Sequence, residues 1–160
     1  MWEALFVEYR SYVQSGVFVA LAAYALLRGD MPEKLAASVF VGAVLLDNVY
    51  HAAFPDGSTY DSINIGHLVL DCLMLVALAY LGLRANRIYP LWLLAAQLIS
   101  TAMHLHRAFV PEIHPFAYWA LTRVPSYLQM FVLLAGIAAH HRRTRRGMVV
   151  RPWRVNSKRS

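Results

Sequence analysis

A chain of 160 residues that is 59% apolar and 15% charged has too little polar surface to cover a soluble domain of its size. Its lone cysteine, Cys72, excludes an internal disulfide and any cysteine-based zinc or iron–sulfur cage. The net charge of +6 reads first as a topology signal, because eight of the fifteen Lys and Arg fall in the last 19 residues and most others stand at the ends of apolar runs.

Five apolar stretches, at 13–27, 35–54, 63–83, 88–110 and 124–140, approach or exceed the roughly 20 residues that cross about 30 Å of hydrocarbon. The expected fold class is therefore all-α, a polytopic membrane bundle of five transmembrane helices. One domain would span residues 1–141, followed by a basic tail over 142–160.

The opening MWEALFVEYR is acidic where a signal peptide is basic, and no small-residue cleavage site closes the first apolar run. The first span is thus expected to stay in the mature protein. Residues 2–12 set Glu3, Glu8 and Arg10 among Trp2, Leu5, Phe6 and Tyr9, an amphipathic extension into the headgroup region. Gly29 can stop the first helix and Pro32 can open the second. In the second span Ala36, Ala37, Ser38, Gly42 and Ala43 suit close helix packing, and Asp47, Asn48 and His51 follow them. The loop PDGSTYDS holds turn residues and no Lys or Arg.

The third span, from Ser62 to Arg84, carries His67 and Asp71 in its first half, with Cys72 expected as a small buried hydrophobe. On the fourth, Gln97, Ser100, Thr101, His104 and Arg107 follow the rhythm of one helix face, and His106 points the opposite way. Pro111, Pro115 and Pro125 bracket a stretch expected to form a short interfacial helix over 116–123, anchored by Tyr118 and Trp119, before a fifth span begins near Pro125. One bent helix over 116–141 is the alternative, since transmembrane helices tolerate proline kinks. His140-His141 reads as a solvated helix end and His114 as a loop histidine. The tail is expected to be flexible or to lie along anionic headgroups, with Trp153 as an anchor.

Twelve Lys and Arg (the tail, Arg28, Lys34, Arg84 and Arg87) fall on one side of the expected bundle, against Arg10, Arg107 and Arg123 on the other. The positive-inside rule then places the N-terminus outside and the C-terminus in the cytoplasm of a plasma (inner) membrane.

Ionisable groups inside hydrocarbon are costly and need partners. Counted from the basic anchors, Asp47 lies 13 residues past Lys34, and Asp71 lies 13 before Arg84. His51, His67 and His104 each lie 17 residues from Lys34, Arg84 and Arg87 respectively, so the three histidines share a depth. Asp47/His51 and His67/Asp71 are both i, i+4 pairs, in reversed order on antiparallel spans, as a common site requires.

A polar pocket open to the outer face is expected from these five residues. His51, His67 and His104 are its metal ligands, with Asp47 and Asp71 as catalytic groups, ligands or orienting acceptors. A divalent metal ion suits this donor set, zinc first, and a metal-dependent intramembrane hydrolase acting on lipid-like substrate follows. The alternatives are a haem-binding electron-transfer subunit, with two axial histidines at one depth, or a non-catalytic membrane subunit whose polar layer is structural. Membrane lipids are the expected partners, with a partner membrane subunit under the last reading. The basic tail lacks any nucleic-acid-binding fold or motif.

Overall fold

A computed structural model of the chain describes residues 2–54, 65–109, 115–149 and 151–154, and within them the side chains other than 2–8, 10–11, 107–109, 115–120 and 122. The loop at 55–62, His114, the end of the tail and the side chains of Trp2, Arg107, Tyr118 and Trp119 lie outside the described residues. Those described form five α-helices: α1 (Trp2–Arg28), α2 (Met31–Ala53), α3 (Ile65–Arg84), α4 (Tyr89–Phe109) and α5 (Pro115–Arg145). Among them there is no strand beyond one isolated bridge.

Local chemistry explains the first corner. Gly29 N–H reaches the Ala25 carbonyl at 2.7 Å as α1 ends. Asp30 then caps α2, its carboxylate accepting from Met31 N–H at 2.9 Å, and Pro32 sits in the first turn, where no backbone donor is missed.

Each helix packs on its chain neighbour, and α5 folds back to touch both α1 and α2. Phe18 of α1 stacks on Phe40 of α2 with ring centroids 4.9 Å apart. Ala36 and Ala37 are fully buried beside them, as small residues at a close helix contact. Leu78 and Leu81 of α3, Leu93 of α4 and Leu133 and Ile137 of α5 complete the apolar core.

Outside that core, large apolar side chains face outward on every helix: Val19 on α1, Leu45 on α2, Val76 on α3, Ile99 on α4 and Phe131 on α5. α2 and α3 are long and apolar enough to cross a membrane, and only 17% of each apolar window is buried within the fold, unlike the core helix of a soluble protein. The apolar part of α1, Tyr12–Arg28, is shorter. Length and apolarity thus single out two helices, where the sequence reading expected five spans.

Three expectations change here. The short helix over 116–123 is the first part of α5, which runs unbroken through Pro125, so the single-helix alternative holds. Pro125 cannot donate to the Leu121 carbonyl, and the helix is tied down beside it: the Ser126 hydroxyl donates to the Arg123 carbonyl at 2.7 Å and accepts from the Gln14 amide of α1 at 2.9 Å. Cys72 is exposed, because Asp71 turns inward and the next residue of a helix is rotated about 100° away. The tail is not loose throughout. Residues 151–154 run antiparallel to the α3–α4 corner, with Asn86 N–H on the Pro152 carbonyl at 2.8 Å and Arg154 N–H on the Arg84 carbonyl at 2.9 Å. Trp153 packs against the core there.

Candidate functional site

The five singled-out residues occupy one end of the bundle, opposite the α1–α2 and α3–α4 corners. They form two linked groups. In the first, His67 Nε2 on α3 stands 3.1 Å from Asp47 Oδ1 on α2, and His51 Nε2, one turn along α2, stands 3.7 Å from the same oxygen. One ligand atom from each of the three can be chosen so that all lie within 4.8 Å of one another. Antiparallel packing produces this arrangement: an i, i+4 pair on α2 meets a histidine descending α3.

Tyr50 backs the group. Its ring lies edge-on to His51 and His67, at 5.6 and 5.4 Å between centroids, and the two imidazoles are 5.2 Å apart. Gly66, just before His67, makes the close approach feasible, because a Cβ there would collide with the Tyr50 ring.

In the second group, His104 Nε2 on α4 stands 3.3 Å from Asp71 Oδ2. Asp71 is held by two further donors, Gln97 Nε2 to Oδ1 at 3.0 Å and Ser100 Oγ to Oδ2 at 3.1 Å. Gln97 in turn accepts from Gln129 Nε2 of α5 at 2.8 Å. Gln97, Ser100, Thr101 and Gln129 are all buried, so the polar face expected on the fourth span does face inward. His106 is exposed, as its position on that helix requires.

The two groups differ in accessibility. Asp47, His51 and His67 retain 45%, 40% and 30% of their side-chain exposure, enough for an ion to be reached and for coordination positions to stay open. Asp71 and His104 keep only 19% and 14%. His67 and Asp71 are one helical turn apart and join the groups along α3. Arg123 of α5 lies within electrostatic reach of both Asp47 and His104.

Thus Asp47, His51 and His67 can hold a metal ion. His104, expected as a third histidine ligand, is paired with Asp71 and is not part of the trio. Two imidazoles and one carboxylate match the three-ligand set of catalytic metal sites, which leave a position for water or substrate.

The opposite end holds a polar cluster that the sequence reading missed. Glu33, in the first turn of α2, is fully buried. Arg87 Nε approaches its Oε1 at 3.7 Å, and Arg87 Nη2 reaches Asp30 Oδ2 at 3.5 Å. His140 Nδ1 stands 4.0 Å from Glu33 Oε2 and keeps 16% of its side-chain exposure, so the expected solvated helix end is a helix face turned toward α2. The available signal was one glutamate among the basic residues Arg28, Lys34, Arg84 and Arg87 at a single end.

Comparison with known protein families, curated proteins and solved structures finds no match for the chain.

Proposed function

We propose that the chain is a five-span membrane protein that binds one divalent metal ion, zinc first, through Asp47, His51 and His67, and uses it to hydrolyse a lipid-like substrate. The convergence of three ligand atoms within 4.8 Å, from two antiparallel helices, carries this reading. Apolar side chains exposed on all five helices support burial of the whole bundle in lipid. The basic end would face the cytoplasm and the metal site would lie toward the outer leaflet.

Val49 on α2 and Val69 and Leu73 on α3 are exposed near the donor trio, so a substrate with acyl chains would reach the site sideways from the bilayer. Held by Asp47, His51 and His67, a divalent ion would supply an acidified water and Lewis-acid polarisation of an ester carbonyl there. His104, oriented by Asp71, would accept a proton from the attacking water as the water oxygen bonds to the carbonyl carbon. The carbon–oxygen bond to the alcohol then breaks, and the alcohol oxygen takes the proton back. Arg123 supplies positive charge for an anionic headgroup. The haem alternative has less support, because the histidine pair converges on a carboxylate oxygen, a donor set for a small hard or borderline cation.

A non-catalytic membrane subunit is the second reading. The Asp71–Gln97–Gln129 chain favours it, since such interhelical hydrogen bonds stabilise membrane bundles by about 0.6–2 kcal/mol each. The two readings separate in proteoliposomes of mixed bacterial-type phospholipids loaded with zinc. The hydrolase reading expects lipid cleavage products that disappear with chelator and in His67→Ala, and fall at least a hundredfold in His104→Ala. Unchanged lipids with zinc bound would leave a metal protein that is no hydrolase.

A further inference from the structure

The cluster at the basic end contains more polar groups than its ion pairs account for. Glu33 Oε1 and Oε2, the Tyr89 hydroxyl and Arg143 Nε are all buried, and none has a hydrogen-bond partner within the described protein. They are neighbours. Tyr89 lies within electrostatic reach of Glu33, Arg87, Arg143 and Asp30. Its ring rests on Gly136, one turn before His140 on α5, where a Cβ would come within 2.7 Å. His140 faces the Glu33 carboxylate from the same helix. Three elements, the first turns of α2 and α4 and the last turns of α5, thus bring buried polar atoms together in one region.

Folded proteins seldom leave such groups unsatisfied, because a buried donor or acceptor stripped of water and left unpaired loses its hydration without replacement. The chemistry of the set selects the occupant. A cation is disfavoured by the guanidinium groups of Arg87 and Arg143, and an anion by the fully buried Glu33 carboxylate. What fits is a small neutral group that accepts from a phenol and a guanidinium while donating to a carboxylate. Water is that group, and it needs two to four polar partners to be held.

We infer that the basic end encloses a bound-water site, in which water links the Glu33 carboxylate to the Tyr89 hydroxyl and Arg143 Nε across α2, α4 and α5. The site is independent of the metal reading and lies at the other end of the bundle. It makes this corner a hydrated polar joint.

X-ray radiolytic footprinting of the full chain in detergent tests the site directly, because bound water generates hydroxyl radicals beside otherwise inaccessible side chains. Tyr89, only 6% exposed, should be hydroxylated at a rate close to that of Tyr24, which is 42% exposed, while Phe40 at 3% stays unmodified. A second measurement uses Tyr89→Phe. If the hydroxyl holds water, the variant melts about 2–4 °C lower than the parent. An unlabelled Tyr89, or a Tyr89→Phe protein at least as stable as the parent, overturns the inference.

Discussion

The two ends of the bundle use the same acidic chemistry in opposite ways. At one end Asp47 meets two imidazoles and keeps 45% of its side-chain exposure. At the other, Glu33 meets a guanidinium and keeps none. Imidazole can lose its proton and offer a lone pair to a metal, whereas guanidinium does neither. Partner choice and burial together make the first end suited to exchanging a ligand and the second suited to holding helices in place. A carboxylate inside a membrane-type bundle is therefore not informative alone; the atom facing it is.

The largest expected effect comes from breaking the closed end. Arg87→Met leaves Glu33 as a buried charge without its guanidinium, and should cost about 3–5 kcal/mol in unfolding experiments on detergent-purified protein. Metal binding at the far end should persist in whatever fraction stays folded. A loss below about 1 kcal/mol would mean that the Arg87–Glu33 contact, at 3.7 Å, is incidental and that the two ends are not distinct in kind.

Next in size is Gly66→Ala. The added methyl meets the Tyr50 ring, so α2 and α3 must separate or the ring must move. Overpacking of this sort costs about 1–3 kcal/mol, and here it also shifts His67 relative to Asp47. Metal affinity should fall about 10- to 100-fold, by analogy with loss of a supporting contact around a metal ligand. Unchanged affinity would show that Tyr50 and Gly66 do not set the donor spacing.

These contrasts show which features were legible in the chain. Helix number and the pairing of Asp47, His51 and His67 followed from apolar runs and from equal residue counts on antiparallel spans, because helix rise converts sequence distance into depth. The inward face of α4 followed from the period of Gln97, Ser100, Thr101 and His104. What the counts do not contain is rotation about each helix axis. Hence His104 shared a depth with His51 and His67 yet turned to Asp71, and Cys72 pointed outward. The continuity of α5 was left open for a different reason, the sequence allowing either a short separate helix or one helix through Pro125. Pro125 is a break by local rules, and the Ser126 contacts that accommodate it involve Gln14, more than a hundred residues away. The Glu33 cluster was hidden because a glutamate near a basic loop looks like a solvated end until α5 packs over it.

The smallest effect on stability should come from His67→Ala. The side chain is 30% exposed, so its removal leaves little cavity and should change stability by less than about 1 kcal/mol. That near-neutrality makes it the cleanest probe of the open end. The direct measurement is the metal content of detergent-purified protein, by elemental analysis after equilibration with zinc and removal of free ion. One zinc per chain in the parent, and less than a tenth of that in His67→Ala at an unchanged melting temperature, is the result expected if Asp47, His51 and His67 form a metal site. Equal zinc in the two proteins, or none in the parent, would contradict it.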